Sequence, residues 1–280
     1  MEVLVPAAVV MEISEVFSFR NITLGQYIPG ETIIHRLDPR AKLGAMLMII
    51  IGLFLINNLW GYLCVAGLLL LVIMLARIPL SRIIRGLKPV LFIMLFTFVL
   101  HLFFSEGTAL WHLGPLTVTK EGILRGTEMV ARLILLVISA SLLTLTTSPL
   151  ALTDGLEMLL APGQRIGLPA HELAMMMTIA LRFIPTLMEE TEKIMKAQMA
   201  RGASFTEGNL VRRAKSLLPV LVPLFVSAFR RAEDLAVAME ARGYVGGEGR
   251  TRFKQLEFKW ADWIALGLTL GTLGIVVIIW

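Results

Sequence analysis

Long stretches without a charge alternate along this chain with short clusters of basic residues. Five apolar runs stand out, at residues 43–56, 59–76, 89–104, 129–146 and 263–280. A helix that crosses a bilayer needs about 20 apolar residues, so each run reads as a membrane span. The first is short unless helix flanks such as Ala41 and Lys42 extend it. Asn57-Asn58 reads as a tight, uncharged turn between the first two spans. The next connection carries Arg77, Arg82, Arg85 and Lys88 and no acid. Because cytoplasmic connections retain Lys and Arg, this one is assigned to the cytoplasm. The N-terminus, with Arg36, Arg40 and Lys42, then lies inside and the loop 105–124 outside. The stretch 147–262 falls inside, and Trp280 outside. Asp38-Pro39 and Ser148-Pro149 are helix starts, each a capping side chain followed by proline in the first turn.

The expected fold is an all-α integral membrane protein with about five transmembrane helices and a cytoplasmic helical region inserted before the last span. Its segments are an N-terminal cytoplasmic stretch (1–40), four transmembrane helices (41–146), the cytoplasmic or interfacial region (147–262) and the last span (263–280). Two apolar stretches in the inserted region, 173–188 and 217–229, contain Pro185 and the pair Pro219 and Pro223. The second would extend only about 20 Å as a helix, short of a hydrocarbon core of about 30 Å. Both read as helices lying at or just under the membrane surface, kinked at the prolines.

Composition agrees with this reading. Of 280 residues, 56% are hydrophobic and 17% charged, and the mean hydropathy is +0.78. The net charge of +5 fits basic residues retained on a cytoplasmic face. No basic patch is interleaved with stacking aromatics, which argues against a nucleic-acid partner. Cys64 stands alone, so neither a disulfide framework nor a thiol metal site is expected. Residues 1–20 are acidic and lack a long apolar run, unlike a cleavable signal. Met11 reads as a candidate start, with residues 1–10 an upstream extension.

The chemistry of catalysis is missing from the sequence. No Gly-x-x-x-x-Gly-Lys-Ser/Thr occurs, so the chain lacks a phosphate-cradling loop of its own. Neither His-Glu-x-x-His nor Gly-x-Ser-x-Gly is present, and His35, His101, His112 and His171 are scattered. No catalytic residue, metal ligand or cofactor is therefore expected. Within the spans the ionisable residues are His101 and Arg132, both nearer the expected outer ends, where an arginine can snorkel. A carrier of ions or charged solutes needs polar groups at mid-depth, which disfavours the alternative of a stand-alone secondary transporter or channel. Glu189-Glu190 is the nearest thing to an acid pair, but adjacent helical positions point apart.

The most informative feature is a repeat. Glu192 to Gly202 and Glu233 to Gly243 align on Ala-Arg-Gly. Each copy has Glu nine before the Arg, an aliphatic residue seven before (Ile194, Leu235), and Ala four and one before (Ala197 and Ala200; Ala238 and Ala241). The spacing puts the small and apolar residues on one helical stripe. Each stripe stops at Gly, the favoured residue just past a helix C-terminus. Each copy thus delivers one arginine at a helix tip, and the small residues are suited to close helix approach. Guanidinium makes several directed hydrogen bonds to carboxylates and carbonyls, so two tips imply two sockets on a soluble partner. Met175, Met176 and Met177 read as packing residues, or as a docking face that accepts more than one partner.

The duplicated Ala-Arg-Gly resembles the signature of the transmembrane T component (EcfT) of energy-coupling factor transporters, the ABC-type importers of vitamins and metal ions. The resemblance extends to Ile22-Thr-Leu-Gly-Gln-Tyr-Ile-Pro-Gly30, to His35-Arg-Leu-Asp-Pro-Arg-Ala-Lys-Leu43 and to Ser148-Pro-Leu-Ala-Leu-Thr-Asp-Gly-Leu156. His171-Glu-Leu-Ala174 and Ala180-Leu-Arg-Phe-Ile-Pro185 belong to it as well. It covers nearly the whole chain beyond residue 20. It implies a non-catalytic subunit in a prokaryotic cell membrane, associated with two ABC ATPases and a substrate-binding S component. Carried over, Ala200, Arg201, Gly202, Ala241, Arg242 and Gly243 are the ATPase-docking residues, and 147–262 is the coupling region.

Overall fold

The computed structural model describes residues 27–56, 58–113, 116–167, 169–203, 205, 209–246 and 256–279. The N-terminal extension with its candidate start at Met11, residues 22–26, Asn57 and Trp280 lie outside these. The described chain forms two compact units, residues 25–159 with 254–280, and residues 160–253.

The first unit is a helical bundle. Its elements are α1 (Ile33–Arg36), α2 (Pro39–Leu55), α3 (Leu59–Ala76), α4 (Leu80–Leu87), α5 (Leu91–Phe104), α6 (Lys120–Thr146), α7 (Pro149–Leu160) and α10 (Trp260–Ile279). Three helical stretches are long and apolar enough to cross a membrane: Leu59–Ala76, Leu80–Phe104 and Lys120–Thr146. The apolar part of α10 and the 17 residues of α2 are shorter. The protein is an all-α membrane protein. Its apolar side chains divide by helix face. Leu53, Val65, Leu135, Leu145, Leu273 and Val276 pack inward. Phe54, Trp60, Phe92, Phe96 and Phe104 stand on the outside, where a hydrocarbon solvent accepts them at no cost. Gly52 lets α2 and α10 touch, because a Cβ there would collide with the Leu273 side chain.

The helix starts follow the sequence grammar. The Asp38 carboxylate accepts from the Arg40 backbone N–H at 2.9 Å, with Pro39 next in line. Ser148 Oγ accepts from the Ala151 N–H at 3.2 Å, satisfying a donor that the helix itself cannot. α6 begins earlier than the apolar run suggests, at Lys120, capped by Thr119, whose hydroxyl accepts from the Gly122 N–H at 3.0 Å.

Two local features go beyond the sequence pattern. Within the loop 105–124, β1 (Ala109–Leu113) and β2 (Leu116–Thr119) form an antiparallel hairpin, with Trp111 opposite Val118 and Leu113 opposite Leu116. Arg132 is fixed by neighbouring helices. Its guanidinium donates to Tyr62 Oη at 2.7 Å and to the Ile56 carbonyl at 3.0 Å, and it lies 5.6 Å from the centre of the Phe54 ring. The C-terminal end of α2 has carbonyls without helical partners, and the arginine fills that need.

The other end of α2 is held by a buried acid. Asp262, 1% exposed, accepts from the Lys259 N–H at 2.7 Å and so caps α10 from its first turn. Its second oxygen accepts from the Asp38 N–H, also at 2.7 Å.

The second unit contains α8 (Ala170–Ala200) and α9 (Leu210–Ala241), of 31 and 32 residues. Both run on through their prolines.

Candidate partner-docking tips

The helix pair α8/α9 presents the two repeat copies, and their ends have the same backbone geometry. Arg201 and Arg242 are the C-caps, at φ −91°, ψ 6° and φ −89°, ψ 9°. The following glycines turn left-handed, at φ +88° and +70°. At the first tip the Gly202 N–H donates to the Met199 carbonyl at 2.9 Å, and the Ala203 N–H to Gln198 at 3.0 Å. At the second, Gly243 donates to Glu240 at 2.9 Å and Tyr244 to Met239 at 3.1 Å. This paired closure is a Schellman cap. No side chain crowds either glycine. The requirement is the positive φ itself, which costs an L-residue roughly 1–2 kcal/mol.

Both arginine side chains are exposed. Among the described residues neither guanidinium has a hydrogen-bond or ion-pair partner. The alanines are exposed too: Ala197, Ala200, Ala238 and Ala241 all face away from the neighbouring helix. This corrects the expectation that they let α8 and α9 approach. Met195 and Val220, with Phe205, make that contact instead, since a larger buried side chain gains more from leaving water. What remains is an arginine beside a smooth strip of small residues, twice.

The pair is fastened by Glu190, which the sequence offers only as half of an adjacent acid pair, and by groups that the pattern does not mark. Glu190 on α8 accepts from Ser227 Oγ and, at 2.7 Å, from the Arg231 guanidinium on α9. The Ser227 hydroxyl and the Arg231 charge hold the Glu190 carboxyl below the usual carboxylate range. Nearer the first tip, Gln198 Nε2 donates to the Pro219 carbonyl at 3.4 Å. That carbonyl has no helical partner, because the residue four positions on is Pro223, which has no N–H. Two prolines four apart announce such an orphan in the sequence; what fills it depends on tertiary structure. The second copy has Met239 where the first has Gln198, so only one tip carries this tie.

The apolar stretch of α9 leaves Leu218, Val222, Phe225, Val226 and Phe229 exposed. These positions form a continuous stripe at helical spacing, on a helix whose contact with α8 is narrow.

Comparison with known proteins agrees with the repeat. Residues 30–253 match the CbiQ family, described as cobalt transport protein. The energy-coupling factor transporter transmembrane protein EcfT of Thermosediminibacter oceani is 59% identical over 252 residues, covering 89% of this chain and 95% of the relative. The EcfT of Acidaminococcus fermentans is 56% identical over 86% of this chain and 90% of its own length. The Bacillus subtilis protein is 50% identical over 86% and 92% respectively. With bilayer-length apolar helices and matches of this extent, the chain belongs to the CbiQ family as an EcfT-type transmembrane component of an energy-coupling factor transporter.

Proposed function

We propose that this transmembrane component couples two ABC ATPases to a substrate-binding S component, for uptake of vitamins or metal ions across a bacterial cell membrane. Ala200-Arg201-Gly202 docks one ATPase and Ala241-Arg242-Gly243 the other. ATP binding draws the two sockets together, the helix pair scissors, and its exposed apolar stripe moves the S component. The chain contributes no catalytic residue; hydrolysis belongs to the ATPases. The observation that carries this reading is the pair of matching Schellman caps, each ending in an exposed, unpartnered arginine beside exposed alanines. A helix end that served only local structure would have no use for the same open surface twice.

A charge-assisted contact contributes about 1.5–3 kcal/mol, so reversing both charges should strip the ATPases from the membrane. The experiment is co-purification of the ATPases together with substrate uptake, for Arg201→Glu, Arg242→Glu and the double variant. Wild-type values of both in the double variant would reduce the tips to ordinary helix ends.

The proposed orientation has its own test. The N-terminus, the connection 77–88 and the region 147–262 are cytoplasmic in this reading. In a Cys64→Ala background, cysteines at Ser81 and Gly246 should be shielded from an impermeant thiol reagent outside intact cells. Cysteines at Asn58 and Thr108 should react. Outside labelling at Gly246 would overturn the arrangement.

A further inference from the structure

Two cavities of different character meet at the end of the bundle where α2 and α10 begin and α6 ends. One, of about 300 Å³, is almost wholly apolar, with Ile49, Leu142 and Ala265 in its walls. Leu75, Ile264 and Leu268 line it as well and are 46%, 62% and 43% exposed, so the cavity opens on the outer face of the bundle. The other, of about 340 Å³, shares Leu37, Lys42 and Thr146 with it but is of mixed lining, with His35, Asp38, Thr147, Glu257 and Lys259 beside apolar side chains such as Pro39 and Leu256.

The more polar cavity has unmet hydrogen-bonding capacity. His35 Nε2, Asp38 Oδ2 and Thr147 Oγ1 are buried without a hydrogen-bond partner among the described residues. Thr147 is only 3% exposed and Asp38 6%. Leaving such groups unpaired is unfavourable by about 1–3 kcal/mol each, so three around one cavity can bond a polar ligand that enters it. Its charge follows from the neighbours. Lys42 Nζ spends two of its three N–H groups on the carbonyls of His35 and Thr146, at 3.1 and 3.0 Å, which leaves one. Lys259 lines the cavity, as does Arg36, whose ion pair with Glu31 joins two side chains 70% and 92% exposed. Three cations, Arg36, Lys42 and Lys259, thus line the cavity beside two acids, Asp38 and Glu257, with Asp262 within electrostatic reach of Lys42.

We propose that the two cavities together bind one anionic phospholipid with a phosphoglycerol headgroup, its acyl chain in the apolar cleft and its head in the more polar one. The cleft opens on the bundle's membrane-facing surface, where acyl chains are the surrounding solvent. Lys42, Lys259, Arg36 and the Thr147 hydroxyl supply donors for phosphate oxygens. The free Asp38 oxygen accepts from a glycerol hydroxyl. Basic pockets between transmembrane helices recognise anionic headgroups in this way. A headgroup ending in an ammonium would set that charge among the lysines and the arginine.

The test is native mass spectrometry of the purified full chain, stripped of lipid in detergent and then titrated with phosphatidylglycerol, phosphatidylcholine or phosphatidylethanolamine. One phosphatidylglycerol should be retained about fivefold more tightly than the other two, the ratio expected from one net basic contact. Lys259→Glu should abolish that preference, and Ala265→Phe, which fills the cleft, should weaken retention of all three lipids. Thr147→Val keeps the side-chain shape but removes an orphan hydroxyl. It should lower phosphatidylglycerol retention while leaving the lipid-free protein as stable as before or more so. A purely structural threonine would not separate these two readings, and the variant decides the matter should Lys259→Glu fail to fold. Equal retention of the three lipids by the wild type would overturn the proposal, as would unchanged retention in Thr147→Val. Displacement of the lipid by excess free glycerol phosphate would also overturn it, by showing that the acyl chain adds nothing.

Discussion

The two arginine tips have the same backbone but different supports. On α8 the last side-chain tie to the neighbouring helix is Gln198, three positions before Arg201 and therefore about 5 Å along the axis. On α9 the corresponding hydrogen-bonded ion pair along the described helix is that of Arg231, eleven positions before Arg242, or about 16 Å. Pivoting at those ties, the α9 tip would move nearly four times as far as the α8 tip for the same rotation. One motif is thus presented on a short arm and on a long one. A local sequence pattern fixes the shape of a contact; the length of helix beyond the tie that holds it sets how far it travels.

The sharpest way to break the equivalence of the tips is at their glycines. Gly202→Val or Gly243→Val forces a β-branched residue into positive φ, at a cost of about 1–2 kcal/mol or more. ATPase co-purification should fall about tenfold on that energy. Gly→Asn at either site should be milder, since Asn tolerates the left-handed region. Equal effects of Val and Asn would mean that the cap geometry is irrelevant to docking.

A smaller effect separates the arms. Gln198→Met copies the other repeat and leaves the Pro219 carbonyl unfilled, a loss of about 1 kcal/mol. It should speed hydrogen exchange at the Gly202 and Ala203 amides, whereas Met239→Gln should leave Gly243 and Tyr244 unchanged. If both substitutions behaved alike, the short and long arms would be a distinction without consequence.

The smallest effect is in pH. The folded Glu190 carboxyl lies below its ordinary value of 4.5, so folding favours its charged form. Its contribution to the α8–α9 contact is complete at neutral pH and fades as pH falls from about 4.5 through the lower folded value. Glu190→Gln should remove that acid-limb dependence and leave the pH 7 to 8 range flat. Protease susceptibility of the connection between α8 and α9, followed against pH, reads this directly.

Much of this was legible in the sequence, for physical reasons. Asp38-Pro39 and Ser148-Pro149 start helices because the chemistry of a cap is local. The Ala-Arg-Gly ends are caps for the same reason. Three spans stand out because hydropathy is additive along a segment. What pattern could not give is which face a neighbour covers. Ala197 and Ala238 looked suited to a helix crossing, yet Met195 and Val220 occupy it. Arg132 was legible as an arginine near a span's end, but its partners, Tyr62 and Ile56, come from more than sixty positions away in the chain. The hairpin at 109–119 was hidden inside a connection read only by its length.

The Asp38–Asp262 hydrogen bond also bears on how the protein is made. It joins residues 224 positions apart, and Leu273 of the same late helix fills the notch at Gly52. At synthesis rates of about 5–20 residues per second, the first helix waits on the order of ten to forty-five seconds for the last. Through that interval the Asp38 N–H at the start of α2 lacks its Asp262 acceptor, and the notch at Gly52 lacks Leu273. Completion of the bundle is therefore a late, post-insertion event, and a nascent chain arrested before Asp262 exposes both defects to whatever surveys the membrane for unfinished proteins.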